Sequence, residues 1–311
     1  MKLRFGKRHY LTLRSYLANL IFELVKAIIL IFLVVVTLYP FWNTVIISFN
    51  QGVDTIRGGL YFWPRIFTLA NYKAVWITAN IPQALFVSVS RATCSTFFNL
   101  FLTTMLAYAL SRKEFVLRKP LTILVVLSMY VNAGIFPNYF LIKFLHLNGT
   151  FWVYAIPSMI NAFNFIIVRT FIKTIPDSLF ESAKIDGTSD FKMFIHFALP
   201  LSKPVMATVA LFVAVGAWNT WFDTLLYNSN KPKLFTLQYQ LMSLLASSMN
   251  QSKTAADVGA AGIGVNVAAS AVTPLSIRSA IVIIAAAPIL VVYPFVQKYF
   301  VVGMNVGSIK E

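Results

Sequence analysis

Six stretches of about 20 predominantly apolar residues divide the chain, and they constrain its fold more than any other feature of the sequence. A helix of this length crosses the hydrocarbon core of a bilayer and satisfies its backbone hydrogen bonds internally. The stretches are approximately Phe22–Ser48, Leu85–Leu110, Leu121–Phe140, Trp152–Ile172, Val205–Leu226 and Ile277–Phe300. They predict an all-α, polytopic membrane protein with six transmembrane helices, in which residues 1–311 form a single transmembrane domain.

The first and third stretches need separate arguments. The first follows a basic segment, as a signal peptide does, but its apolar run is too long and no small-residue cleavage pattern follows it. It is therefore predicted to be an uncleaved span. In the third stretch, Gly134 and Pro137 predict a kink or an early exit from the membrane.

Composition agrees with a membrane protein and argues against other classes. Hydrophobic residues make up 58% of the chain and charged residues 12%, and the mean hydropathy is +0.73. The net charge of +16 does not indicate nucleic-acid binding, because the basic residues are scattered at the ends of apolar segments without a basic and aromatic stripe. Neither a catalytic nor a metal-binding constellation is predicted, and the single cysteine, Cys94, excludes an internal disulfide.

Lysine and arginine predict the orientation of the chain. They concentrate in the N-terminal segment 1–20, in residues 112–119, and between residues 169 and 203. Because cytoplasmic segments carry the excess of basic residues, these three regions are predicted to be inside. Both termini are then cytoplasmic, including the short C-terminal tail 301–311.

A polar segment, residues 177–204, separates the fourth apolar stretch from the fifth. It reads as two short helices joined by a turn: Ser178 and Glu181 have capping-box spacing, so a helix is expected to start at Asp177 or Ser178. Gly187 suits a left-handed residue that ends this helix, and Pro200 and Pro204 are expected to end the segment. On pattern alone, the segment is either an amphipathic elbow on the membrane surface or a docking element for a cytoplasmic partner.

The spacing within this segment resembles the cytoplasmic signature loop of binding-protein-dependent ABC importer permeases. That pattern is Glu-Ala-Ala, three residues, Gly, nine residues, then Ile-x-Leu-Pro. This chain has Glu181-Ser182-Ala183, then Gly187, then Phe197-Ala198-Leu199-Pro200 at the same spacing. The Asp186-Gly187 pair and the C-terminal sequence around Gln297–Phe300 are similar to the carbohydrate branch, to the smaller permease of maltose-type and polysaccharide-type systems.

The resemblance implies a type I importer permease architecture in a bacterial cytoplasmic membrane. The partners would be a second homologous permease in a heterodimer, two cytoplasmic ATPase subunits, an extracytoplasmic solute-binding protein and the lipid bilayer, without nucleic acid. ATP and Mg would be bound by the ATPase, and this chain would carry no cofactor. The ATPase-coupling residues would be Glu181, Ser182, Ala183, Asp186, Gly187, Leu199 and Pro200. The apolar residues Leu179, Phe180 and Ala183 are expected to fill a groove of the ATPase.

The chain has no G-x-x-x-x-G-K-[ST] phosphate loop, so it is not expected to hydrolyse ATP. An importer for a non-sugar solute and an ion-gradient-driven secondary transporter are the alternatives. A secondary transporter usually places ionisable groups within its spans. Arg91 and Asp223 are candidates here, but both lie near span ends and are expected to face headgroups.

Amides, carboxylates and aromatic faces bind oligosaccharides, and seven such residues are candidates for a translocation pathway. They are Asn132, Asn161, Asn164, Trp218, Asn219, Trp221 and Asp223. Two other roles remain open for them, since tryptophans at span ends form interfacial belts and asparagines bond neighbouring helices. Two outer segments complete the chain: Phe49–Gln83, and a longer loop at 228–276 whose small-residue stretch suits either a cap over the cavity or a flexible linker.

Overall fold

The computed structural model describes residues 13–78, 80–131, 133–247 and 272–306, and the regular elements within these ranges are helices. Their one β-type pairing is an isolated bridge between Asn50 and Phe67. The helices are α1 (Leu13–Phe49), α2 (Gly52–Ile56), α3 (Ala70–Thr78), α4 (Ile81–Ser111), α5 (Arg118–Leu127), α6 (Ile135–Phe144), α7 (Ala162–Ile172), α8 (Asp177–Ile185), α9 (Asp190–Met193), α10 (Leu199–Leu201), α11 (Lys203–Asn219), α12 (Phe222–Asn228), α13 (237–247) and α14 (Pro274–Val306). The predicted all-α fold is confirmed.

Within the described ranges, three helical segments are long and apolar enough to cross a membrane: Asn19–Phe49, Ile81–Ser111 and Pro274–Val291. Two bent helix pairs raise the number to five if each pair is one span. The 3-10 turns of Phe151–Ser158 meet α7 at 48°, and Asp190–Leu201 meets α11 at 79°. The multi-pass helical architecture is therefore present, while the count of six spans stays a prediction.

The third apolar stretch departs from the predicted single span. It forms two helices, α5 and α6, of ten residues each. At 1.5 Å per residue each is about 15 Å long, roughly half of a hydrocarbon core. Gly134 lies between them with φ +83°, a left-handed conformation that glycine adopts readily. The expected interruption at Gly134 is thus a full break, and Pro137 lies in the first turn of α6.

Helix α4 lies at the centre of the chain and packs against α7 and α11. The largest buried cluster joins its C-terminal half to α7, α8 and the start of α11, through Ala107, Phe165, Val168, Phe194 and Val209. Each of these side chains is almost completely removed from solvent. This cluster fixes the polar segment 177–204 to the membrane helices.

Helix α1 lies against α14 and α3 but leaves most of its apolar side chains exposed. None of its most apolar window is buried within the chain, so this face suits lipid or another membrane subunit. The helix already includes Leu13, so the described part of the predicted cytoplasmic segment 1–20 is helical. Likewise α14 continues through Val306, so the tail 301–311 begins as helix, and residues 307–311 lie outside the described residues.

The two outer segments contain more helix than the sequence predicts. In the first, the Asn50 amide donates to Asp54 of α2 at 3.0 Å and its Oδ1 accepts from the Ile66 N–H at 2.9 Å, while Asn71 of α3 donates to the Asn50 carbonyl at 2.9 Å. In the second, α13 buries Leu237 and Leu241 with Trp218 in a second core cluster. The described part of 228–276 is thus packed structure, while the small-residue stretch 255–271 lies outside the described residues.

Candidate functional site

The signature-like segment begins with α8, whose first residue is Asp177, as the sequence predicts. The capping box does not form, because no side chain caps the N-terminus of this helix. The C-terminus matches the prediction: Gly187 has φ +74°, and the N–H groups of Gly187 and Thr188 donate to the carbonyls of Lys184 and Ala183. This pair of hydrogen bonds is a Schellman motif, in which glycine avoids the strain of a left-handed residue.

The second half of the segment is one continuous helical run and not a helix ended by proline. Helix α9 passes through a π-helical turn at Phe194–Ala198 into α10, which contains Pro200. The 79° bend falls one residue after α10, and α11 starts at Lys203 with Pro204 in its first turn. Proline is tolerated in a first turn because the N–H it lacks has no partner there. Pro200 thus lies near the end of the first run and Pro204 in the first turn of α11, so the two prolines flank the bend.

Of the three apolar residues of α8 expected to fill a groove of the ATPase, two are buried within this chain and Leu179 is half-buried. Phe180 and Ala183 are 4% and 5% exposed and belong to the main core cluster with Tyr108 and Phe194. They attach α8 to the protein and are not free to fill a groove of another subunit, contrary to expectation. The large apolar side chain that α8 does expose is Ile185, at 87%.

A loop after α4 clasps α8 from one side. The Arg112 guanidinium lies over the Phe180 ring at 3.8 Å and near the Tyr108 ring at 5.2 Å. The Lys113 ammonium is 2.7 Å from an Asp177 carboxylate oxygen, and the following residue, Glu114, accepts a hydrogen bond from Lys184. We call this arrangement of Arg112, Lys113 and Glu114 on α8 the clasp.

The clasp changes the electrostatics of its own members. The hydrogen bond and charge of Lys113 lower the pKa of the Asp177 carboxyl, and the same hydrogen bond raises the pKa of Lys113. A hydrogen bond from its own backbone N–H, followed by the one from Lys184, lowers the pKa of Glu114. Asp177, Lys113 and Glu114 are therefore charged at neutral pH.

The predicted coupling residues outside the clasp form an accessible edge. Glu181, Ser182, Asp186 and Gly187 are exposed along α8 and its turn. Leu199 and Pro200 are half-buried at the bend that leads into α11. The structure thus brings the first group together on one surface and puts the second at the junction with a membrane helix.

A cavity of about 960 Å³ lies farther along α4, among α6, α7, α11, α12 and the 3-10 turns. Its polar lining includes Arg91, Ser95, Asn99, Asn138, Tyr154, Ser158, Asn161, Asn164, Thr220, Asp223 and Tyr227. Apolar and aromatic side chains, among them Phe163 and Phe212, complete its wall. Small-molecule sites commonly have this size and this mixture of apolar walls with a few polar groups.

A buried ion pair closes one side of this cavity. Arg91, which is 4% exposed, donates from Nη1 to Asp223 Oδ1 at 3.1 Å and from Nη2 to Asp223 Oδ2 at 2.5 Å. It also donates to the Thr220 carbonyl at 2.9 Å and lies 4.8 Å from the centre of the Tyr154 ring. The pair joins α4 to α12, so neither group faces lipid headgroups as the sequence suggested.

Three asparagines form a second polar connection across the cavity wall. Asn164 donates to the Asn99 Oδ1 at 3.2 Å, and Asn99 donates to the Ser158 carbonyl at 2.7 Å. Asn161 caps α7 by accepting from the Asn164 N–H at 3.1 Å. Asn99 and Asn164 are buried and therefore bond helix to helix, whereas Asn161 is exposed in the cavity.

The predicted pathway residues thus divide into three groups. Asn161, Asn164 and Asp223 line the cavity. Trp218, Asn219 and Trp221 do not, since Trp218 is buried against α13 and α14 and the other two lie outside the lining. Asn132 lies outside the described residues.

Sequence reasoning missed most of the polar residues that line the cavity, and it placed Arg91 against headgroups. Asn138 lines the cavity from α6, and Tyr227 from α12, where it stacks on Tyr139 at 6.1 Å. The unlike charges of Arg91 and Asp223 in two apolar stretches were the available signal for their pairing. Within the described residues, no group of three or more His, Cys, Asp or Glu side chains is placed to hold a metal ion.

The protein is multi-pass and helical, with a polar cavity along its central helix and a charged segment held at the end of the same helix. This construction is typical of a transport subunit. Comparison with known proteins agrees. The chain belongs to the family described as binding-protein-dependent transport system inner membrane component, which matches residues 99–306. Family membership removes the ion-gradient-driven alternative.

Individual relatives extend the similarity over almost the whole chain. The polygalacturonan/rhamnogalacturonan transport system permease protein YtcP of Bacillus subtilis (strain 168) is 34% identical over 94% of this chain and 99% of its own length. Protein LplC of the same organism is 36% identical over 96% and 98%. A crystal structure of a bacterial ABC transporter involved in import of the acidic polysaccharide alginate has a chain with the same fold, with a TM-score of 0.79, 23% identity, and coverage of 96% of this chain and 100% of that one.

Proposed function

We propose that this chain is a permease subunit of an ATP-driven ABC importer and that its cargo is a carbohydrate, an oligosaccharide delivered by a solute-binding protein. The proposal for the cargo is supported by the names of its relatives, which transport polygalacturonan, arabinooligosaccharides and galactooligosaccharides. It is also supported by a cavity that combines amide and hydroxyl groups with aromatic side chains.

The remaining parts of the importer are separate subunits. The sequence lacks a phosphate loop, so two cytoplasmic ATPase subunits bind ATP and Mg. A second homologous permease completes a heterodimer in the bacterial cytoplasmic membrane, and both termini of this chain face the cytoplasm, as its basic residues predict.

One observation carries the mechanism: helix α4 connects the clasp to the cavity without interruption. Arg112 at its end holds α8, while Arg91 in its first half lines the cavity. The 21 residues between them correspond to roughly 30 Å of helix. A packed helix moves as a rigid body, so a displacement of α8 by the ATPase is transmitted to the cavity wall.

The surface that the ATPase would contact differs from the one expected from the sequence. Since Phe180 and Ala183 are buried in this chain, the contact falls to the exposed edge of Glu181, Ser182, Asp186 and Gly187, with Ile185 as its apolar side chain. Such a helix, held on one face and free on the other, suits binding in a groove. Leu199 and Pro200 would act as the bend that carries the motion into α11.

The experiment that tests this proposal compares two glycines with the same conformation. Gly187 and Gly59 have φ of +74° and +71°, and a Cβ added to either meets nothing within 4 Å. A valine at either position is therefore strained to a similar extent. In proteoliposomes with the partner subunits and loaded binding protein, Gly187→Val is expected to abolish uptake and stimulated ATP hydrolysis, whereas Gly59→Val keeps both.

A second pair of variants tests the charge of the exposed edge. Glu181→Lys is expected to reduce stimulated hydrolysis at least about tenfold if the ATPase buries Glu181 in a charge pair, because removing one partner of such a pair costs about 2 kcal/mol or more. Thr174→Lys adds a cation to an exposed position nearby, outside the signature, and serves as the control. Equal activity of all four variants with wild type would show that the segment does not couple ATP hydrolysis to transport.

A further inference from the structure

Three basic side chains meet beside the clasp without an acidic partner. Arg118 starts α5, and Arg169 and Lys173 lie at the end of α7, which packs against α5 and α4. None of the three forms a salt bridge with any residue in the described part of the chain. We call Arg118, Arg169 and Lys173 the basic patch.

The members of the basic patch are close enough to repel one another. The positive charge of Arg169, followed by burial and the charge of Arg118, lowers the pKa of Lys173. Arg169 is half-buried and donates from Nε to the Leu110 carbonyl at 3.1 Å, which fixes its guanidinium at the C-terminal end of α4. A fixed cluster of like charges is an anion site, because a bound anion relieves the repulsion.

The residues that lead into the basic patch are apolar and exposed. Val116 is 88% exposed and Leu117 55%, with Phe115 before them. They belong to the turn between α4 and α5, at the end of the molecule where α4 leaves its buried cluster. Apolar side chains next to basic ones are typical of a surface that lies in the interfacial zone of a bilayer.

We propose that the basic patch binds the phosphodiester headgroup of an anionic phospholipid while Val116 and Leu117 contact its acyl chains. Basic pockets between membrane helices are suited to such headgroups. The apolar residues favour a lipid over a free phosphate ion, for which they would offer no contact. This site goes beyond the proposed transport function and does not depend on the cargo.

The position of the site links lipid binding to coupling. Residues 112–114 of the same turn hold α8 through the clasp, and Arg118 follows only four residues after Glu114. A headgroup that neutralises the basic patch would stabilise the turn that also holds α8. An importer in a membrane without anionic lipid is therefore expected to couple less efficiently.

Lipid binding to the purified full chain tests the proposal directly. The chain is delipidated in mild detergent and titrated with phosphatidylglycerol or phosphatidylcholine, and bound lipid is counted by native mass spectrometry. Wild type is expected to bind phosphatidylglycerol about 100-fold more tightly than phosphatidylcholine. This is the preference that three basic residues at a charged surface would give. The preference should fall as salt is raised.

Variants locate the site and distinguish its ligand. Arg118→Gln combined with Arg169→Gln and Lys173→Gln should abolish the preference, whereas Lys203→Gln, an exposed cation at the start of α11, should not change it. If the triple variant does not fold, the single variant Lys173→Gln replaces it, because Lys173 is exposed. This variant should weaken phosphatidylglycerol binding about fivefold.

Two outcomes would overturn the proposal. One is an equal affinity of wild type for the two lipids, or an unchanged preference in the triple and Lys173→Gln variants. The other is displacement of the lipid by millimolar inorganic phosphate, which would show that the basic patch holds a soluble anion. Neither outcome depends on ATP or on the transported sugar, so this result is separate from any failure of the proposed transport function.

Discussion

The ion pair between Arg91 and Asp223 gives the sharpest prediction about stability. Its two hydrogen bonds of 3.1 and 2.5 Å lie between side chains that are 5% and 20% exposed. Removing one partner of a buried pair leaves an uncompensated charge and costs about 3–5 kcal/mol. For Asp223→Asn we expect the lower end, about 3 kcal/mol, because the amide still accepts one hydrogen bond and the site is partly open to the cavity.

The measurement is thermal unfolding in detergent, followed by tryptophan fluorescence. A loss of about 3 kcal/mol corresponds to a fall in Tm of roughly 5–10 °C for a chain of this size. The matched control is the double variant Arg91→Met with Asp223→Val, which removes both charges and roughly keeps the combined side-chain volume. Replacing a buried pair by apolar residues is often neutral, so the double variant is expected within about 1 kcal/mol of wild type.

The two variants together decide whether the reasoning holds. An unchanged Tm for Asp223→Asn would mean that the pair is solvated and contributes little. A double variant as unstable as the single one would mean that the site needs the charges themselves. If the double variant is stable but transports no sugar, Arg91 and Asp223 act on the cargo or on the movement of α12 as well as on stability.

Three further predictions concern the clasp and the outer segment. Arg112→Ala should speed hydrogen exchange in α8 by about tenfold, since a desolvated cation–π contact contributes about 1–2 kcal/mol. Arg112→Lys should restore part of the protection of α8. Unchanged exchange in both variants would exclude the clasp. The pKa of Glu114 is lowered by a hydrogen bond from its own N–H and by a lysine of α8. The contribution of Glu114 to the stability of α8 is therefore complete at neutral pH, and it is lost as pH falls below the usual carboxyl range. Exchange in α8, corrected for its intrinsic pH dependence, should therefore rise below about pH 4, and Glu114→Gln should already show the faster exchange at pH 7. Gly52→Ala should lower Tm because its Cβ would lie 2.5 Å from the Thr273 backbone nitrogen, at a cost of about 1–3 kcal/mol, whereas Gly216→Ala meets open space and should not.

The sequence predicted the features that depend on local pattern. The apolar stretches identified the all-helical membrane fold, and the spacing of Glu181, Gly187 and Pro200 identified the family. The left-handed conformation of Gly187 was also correct, since only the residue type and its place after a helix are needed to predict it. These predictions need no knowledge of which helices are neighbours.

What the sequence did not predict depends on distant contacts. Arg91 and Asp223 are 132 residues apart, and their pairing follows from the packing of α4 beside α11 and α12. Phe180 looked like a residue for a partner's groove because its burial under Arg112 is set by the loop after α4. Periodicity shows that a face is apolar, but it does not show whether this chain or another one covers it.

Helix α4 connects two sites, the clasp and the cavity, that the sequence did not predict. The signature lies within one continuous segment, proposed above to contact the ATPase, and it can therefore be recognised from local spacing. The clasp and the cavity are both built on α4, from residues whose partners lie on α7, α8 and α12. If the proposed function holds, coupling needs this helix as well as the signature, so variants of Arg112 should uncouple hydrolysis from uptake even with the whole signature intact.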